Sequence, residues 1–218
     1  MDEKIKNIIN KWNPIMEKPK YEELIKELYS RPKVIPFIYK YIYNKVVKLA
    51  LENENTWGLL VIKGPRRIGK TTLLYYIVKR ILDDVENGKL SINTENILYL
   101  SLDDQDLNKE ILEILLEMYL NRKGKKVILL DEASFIPEWN KIIKNFIDRG
   151  LTQNAVVIVT GSYGVDLEEA ERLFYGRTGN VYILDRGLKS GAFQFLFPLR
   201  FPEMIGELII YNQLKEFL

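Results

Sequence analysis

Residues 64–71 read GPRRIGKT, flanked by LLVIK (59–63) and by KTTLLYYIVKRIL (70–82). The octapeptide satisfies G-x-x-x-x-G-K-[ST] in full, with a strand pattern before it and a helix pattern after it. At ordinary residue frequencies such a match arises by chance in about one chain in a hundred of this length. The strand–loop–helix context makes coincidence rarer still. Gly64 and Gly69 let the backbone curl, so that successive N–H groups point at one phosphate. The start of the 70–82 helix adds its positive dipole end. Lys70 is expected to reach the β- and γ-phosphates and the Thr71 hydroxyl to ligate Mg²⁺. Pro65, Arg66, Arg67, Ile68 and Thr72 complete the expected nucleotide-binding stretch. ATP and Mg²⁺ are the cofactors this loop predicts.

Outward from the loop, short apolar runs alternate with helical patterns. ILYLSL (97–102), KVILLDE (126–132), AVVIVTGS (155–162) and NVYILD (180–185) read as strands. Helices are expected over 70–82, over 106–121 with Leu107, Ile111, Ile114, Leu115 and Met118 on one stripe, and over PEWNKIIKNFIDRG (137–150). DDVENGKLSINTEN (83–96) reads as a polar connection. Runs of Val, Ile and Leu without alternation are what a parallel sheet buried on both faces requires, and the helices between them supply right-handed crossovers. The predicted fold is α/β: a three-layer P-loop NTPase sandwich with a mostly parallel five-stranded sheet and an N-terminal helical segment. The predicted boundaries are 1–56 for that segment, 57–190 for the core and 191–218 for a tail that begins a following element.

Asp131 and Glu132 end the third strand, where open α/β sheets bind ligands. Asp131 is expected to hold Mg²⁺ through water, and Glu132 to orient or deprotonate an attacking water. A strand at 97–102 between the loop and this pair favours ATPases with a catalytic glutamate over the kinase and GTPase branch. In that order the 155–160 strand lies beside the Asp131 strand. Its polar end then meets the γ-phosphate or the water, with Thr160 the first candidate and Ser162 the second. Arg172, Arg177 and Arg186 follow; each is a candidate arginine finger, in cis or from a neighbouring subunit, or a structural salt bridge.

Composition narrows the chemistry. Among 218 residues there is no Cys and no His. That excludes disulfides, thiol nucleophiles, Ser-His-Asp hydrolysis and nearly all zinc enzymes. Lys and Glu are plentiful, which points to an intracellular, cytoplasmic protein from a hot environment. The start MDEKIKNIIN lacks the apolar core of a signal peptide, and no apolar run is long enough to span a membrane. Residues 1–50 hold 11 Lys/Arg against 6 Asp/Glu, a net of +5, within a formal total of +2. That excess fits a solvated helical face, or a contact with DNA or another partner. IKNIINKW, YEELIKELY and FIYKYIYNKVVKLALEN read as helices separate from the core.

Several of these stretches together resemble one family: archaeal AAA-related P-loop ATPases whose ATPase core is followed by a C-terminal domain. The stretches are WNP (12–14), GPRRIGKTTLL (64–74), ILYLSLDD (97–104), LLDEASFIPEWNKIIKNFIDRG (129–150), VIVTGS (157–162), ERLFYGRTG (171–179) and FPLRF (197–201). The resemblance spans roughly residues 10–205. It implies ATPase chemistry, Arg177 as the preferred finger, and a following winged-helix or nuclease-like domain. Phe174-Tyr175 departs from the single Pro usual in that tract. Three functions follow as alternatives: an ATPase coupled to nucleic-acid or protein remodelling, with a homo-oligomer among the expected partners; a nucleotide-gated binding module with negligible turnover; and a phosphotransferase, which the Asp131-Glu132 pair disfavours.

Overall fold

The computed structural model of the chain describes residues 3–13, 37–52, 58–63, 69–161 and 192–196. Five strands form one sheet: β1 (Gly58–Lys63), β2 (Ile97–Ser101), β3 (Lys126–Asp131), β4 (Ala155–Gly161) and β5 (Ala192–Leu196). Their order is β2-β3-β4-β1-β5, and every neighbouring pair is parallel. Every residue of β2, β3 and β4 is buried, which is why these strands read as unbroken apolar runs.

The helices are α1 (Glu3–Trp12), α2 (Phe37–Ile42), α3 (Lys48–Glu52), α4 (Lys70–Glu86), α5 (Lys109–Leu120) and α6 (Trp139–Asp148). A π-helical turn, Tyr43–Val47, joins α2 to α3. Strand residues alternate between two cores, as the period of two demands. Leu60, Ile62, Ile97, Tyr99, Val127, Leu129, Val156 and Ile158 pack with α2, α3 and α4. Leu59, Val61, Leu98, Leu100, Ile128, Leu130, Val157 and Val159 pack with α1, α5 and α6. Helices of the 1–56 segment therefore cover both faces of the sheet: Ile5 and Ile8 lie in one core, Tyr43 and Val47 in the other. Among the described residues they are not separate from it. No helix of the described residues is long and apolar enough to cross a membrane.

Several expectations change in detail. The strand interposed in the sheet between β1 and β3 is β4; among the described residues, 97–101 form an edge strand instead. Helix α4 runs on to Glu86, through residues expected to be a connection, because Asp84 is buried and Val85 packs on the core. Helix α5 starts at Lys109, where Asn108 caps it by accepting the Ile111 N–H at 2.9 Å. Ile114 faces outward, and Leu112, Leu116 and Tyr119 take the buried stripe. Strand β5 lies beyond the expected core boundary at 190 and pairs with β1 in register from Leu59↔Ala192 to Lys63↔Leu196. YEELIKELY and the strand expected at 180–185 fall outside the described residues.

Candidate nucleotide and metal site

The carboxyl ends of β1, β3 and β4 meet the start of α4. Gly69 takes φ 96°, a left-handed conformation that glycine adopts without strain, and N-caps α4. The Tyr39 hydroxyl donates to the Gly69 carbonyl at 2.7 Å, tying α2 to the end of the loop. Lys70 and Thr71 follow in the first helical turn. Parallel pairing brings β4 level with β3, with Leu130 opposite Val159. Asp131 and Thr160 are the next residues on each strand. Both point to the α4 side of the sheet, by the same alternation that buries Leu129 and Ile158 there.

Asp131 is 2 % exposed. Its Oδ2 accepts from the Thr71 hydroxyl at 2.6 Å and from the Tyr99 hydroxyl at 3.1 Å. Its Oδ1 accepts a short bond from the Thr160 hydroxyl. The Thr160 oxygen in turn accepts the Glu132 N–H at 3.1 Å. Glu132 adopts φ 52°, ψ 49°, an uncommon conformation for a residue with a side chain. There Lys70 Nζ stands 3.6 Å from Glu132 Oε1, with the lysine side chain 3 % and the glutamate 18 % exposed. The nearly buried ammonium and the partly buried carboxylate thus face each other.

Burial pushes the Asp131 carboxyl above its ordinary range; hydrogen bonds from Thr160 and Thr71 oppose that shift, and the neighbouring Glu132 charge adds to it. Burial, then the charge of Asp131, raises the Tyr99 phenol well above its usual value, so Tyr99 remains a donor at any working pH.

The donor set suits Mg²⁺. One carboxylate and one hydroxyl, both hard oxygens, stand within hydrogen-bond reach of each other. Mg²⁺ is commonly held that way, by one or two carboxylates together with substrate phosphates and water. Asp131 and Thr71 are the residues that would hold it. The start of a 17-residue helix beside a buried lysine suits phosphate.

The structure brings together Lys70, Thr71, Asp131, Glu132 and Thr160 from the expected set. Thr72 lies in the same helical turn. Gly64, Pro65, Arg66, Arg67, Ile68, Ser162, Arg172, Arg177 and Arg186 lie outside the described residues. Three contributors went unread in the sequence: Tyr39, Tyr99 and Asn13. The signal for Tyr99 was a hydroxyl inside an otherwise apolar strand, on the same sheet face as Asp131. The Asn13 side chain lies on the outer edge of β2: it donates to the Tyr99 carbonyl at 3.1 Å and accepts the Tyr99 N–H at 2.7 Å.

Comparison with known proteins bears on the family and the fold. Over 143 residues the chain is 33% identical to the uncharacterized protein MJ1637 of Methanocaldococcus jannaschii, covering 63% of this chain and 28% of that one. The fold is similar to that of the Aeropyrum pernix ORC1 protein, solved in complex with DNA, with a TM-score of 0.53 at 15% identity. That match covers 87% of this chain and 53% of the ORC1 chain. The chain therefore spans about a quarter of the MJ1637 protein and about half of the ORC1 chain. A family model described as an AAA domain matches residues 56–204, more than half of the sequence. On that match the chain, a nucleotide-binding P-loop sandwich, belongs to the AAA domain family.

Proposed function

We propose that the chain binds Mg·ATP at residues 64–72 and hydrolyses it to ADP and phosphate. The observation that carries this reading is the convergence of Lys70, Thr71, Asp131, Glu132 and Thr160 at one end of the sheet. Lys70 neutralises the β- and γ-phosphates. Asp131 and Thr71 would hold the metal, which would offset charge on the phosphate oxygens. Glu132 takes a proton from water as the water oxygen bonds to the γ-phosphorus. The bond from that phosphorus to the β–γ bridging oxygen breaks, and the electron pair leaves with ADP. Thr160, bonded to both Asp131 and the Glu132 backbone, sets the distance between the metal carboxylate and the base. Arg177 completes the charge on the transferred group, in cis or from a second copy of the chain.

Steady-state phosphate release from Mg·ATP, measured across protein concentrations, tests the proposal. Glu132→Gln is expected to keep ATP binding and to slow turnover at least about tenfold. Equal turnover in the variant would remove Glu132 from the role. Specific activity that rises with protein concentration would place the finger in a neighbouring copy.

A second reading is favoured by the Lys70–Glu132 contact, which pairs the base with the phosphate-binding cation. In it the domain is a nucleotide-gated binding module, and ATP binds tightly with negligible release of phosphate. Either version leaves DNA as a partner for the basic N-terminal 50 residues. The ORC1 protein of similar fold was solved with DNA. A salt-sensitive mobility shift on duplex DNA, weakened by Lys6→Glu with Lys40→Glu at two exposed positions of that segment, is the expected result; no shift at low salt would exclude it.

A further inference from the structure

The Asp131 carboxylate is held from two sides that differ in kind. Thr71 rides on α4, directly after the phosphate loop, so its bond to Oδ2 depends on the helix that grips the nucleotide. Tyr99 reaches the same oxygen from β2, a strand of the sheet itself. We propose that Tyr99 is a positioning residue for the metal: its hydroxyl fixes the direction in which Asp131 presents its carboxylate, and Trp12 and Asn13 fix Tyr99. The proposal rests on the Mg·ATP reading of the site.

Tyr99 is built to hold one pose. It is 2 % exposed. Its ring lies 4.9 Å from the Tyr75 ring and 6.1 Å from the Trp12 ring, centroid to centroid. Its backbone sits on a strand that, among the described residues, forms the edge of the sheet, with no strand on one flank. The Asn13 amide fills that flank at this one residue, taking both the N–H and the carbonyl. Asn13 is itself buried and continues α1, its N–H bonded to the Ile9 carbonyl at 2.8 Å. Trp12 is pinned next to it, its indole N–H donating to Asp104 at 2.5 Å, and Lys11 pairs with the same carboxylate at 2.7 Å. The tyrosine therefore has neither a free rotamer nor a free backbone. A group that orients a metal ligand from behind is commonly worth an order of magnitude or more in metal affinity.

The test is a titration of the full chain and ATP with Mn²⁺, followed by electron paramagnetic resonance of the free ion. It runs beside ATP binding in EDTA and a thermal melt. Tyr99→Phe keeps the ring and removes only the hydroxyl. The expected result is about tenfold more Mn²⁺ for half-saturation, with metal-free ATP affinity unchanged. A folded Tyr99→Phe protein with wild-type Mn²⁺ dependence would overturn the proposal. Where Tyr99→Phe does not fold, Asn13→Ala carries the test: a several-fold rise in half-saturating Mn²⁺ supports the brace, and a lowered melt with unchanged metal dependence overturns it. A wild-type chain that binds no ATP, with or without metal, would overturn the Mg·ATP reading and this proposal together. That outcome is distinct from tight wild-type binding with an indifferent variant.

Discussion

Two aspartates, Asp84 and Asp131, are each 2 % exposed or less, yet their surroundings push them in opposite directions. Asp84, in the last turns of α4, accepts from the Tyr43 hydroxyl at 2.9 Å. Lys48 stands 3.1 Å and Arg80 3.9 Å from it. Burial alone would raise its carboxyl, but the bonds from Lys48 and Tyr43 outweigh that and hold it below the usual range. Asp131 has three hydroxyls as partners among the described residues, and its carboxyl is raised. One buried charge is neutralised within the fold and ties the N-terminal helices to α4. The other is solvated by dipoles, an arrangement that leaves it wanting a cation from outside. A buried acid with its own cations is structural; a buried acid ringed by hydroxyls is a candidate ligand.

The largest effect that tests this contrast is Asp131→Asn. Metal-dependent turnover should fall on the order of a hundredfold, while the metal-free melting temperature stays at or above that of wild type. A large loss of stability would show that Asp131 is structural after all.

Next in size, Asp84→Asn should cost about 2 kcal/mol in denaturant unfolding near neutral pH, with turnover per folded molecule preserved. Its pH dependence has a defined sign. The folded-state value lies below the unfolded one, so the Asp84 contribution is complete above about pH 4. It drains away as the pH falls through the folded value. The gap between wild type and Asp84→Asn should therefore close on acidification; a gap that widened would refute the charge pairing.

The smallest effect comes from Tyr43→Phe, which removes a hydroxyl bonded to Asp84 and to the Arg80 carbonyl at 3.0 Å. A loss of about 1 kcal/mol is expected. A loss equal to that of Asp84→Asn would mean that the hydroxyl, not the cations, dominates.

Much of this architecture is legible in the sequence because it is local. Strands β1 to β4 declare themselves as unbroken apolar runs, and the 64–71 octapeptide fixes which strand end carries the site. Asp131, Glu132 and Thr160 are each readable as polar residues that end an apolar strand. What escaped depends on register and on edges. β5 was hidden in a stretch that Pro198, Arg200 and Pro202 made look like a tail. Asp84 reads as loop because two acids in a row suggest solvent, and its distant partners Lys48 and Tyr43, with Arg80, explain its burial. Tyr99 and Asn13 are 86 residues apart, and no local pattern pairs them.

The Asn13 side chain carries one more consequence. Both backbone groups of Tyr99 that face outward are already taken, at the middle of the five-residue edge strand β2. A foreign strand seeking to extend the sheet there would have to displace that amide and lift α1 away from Ile5 and Ile8's apolar seat. The residue that braces a tyrosine thus also guards the sheet against growing from one molecule into the next.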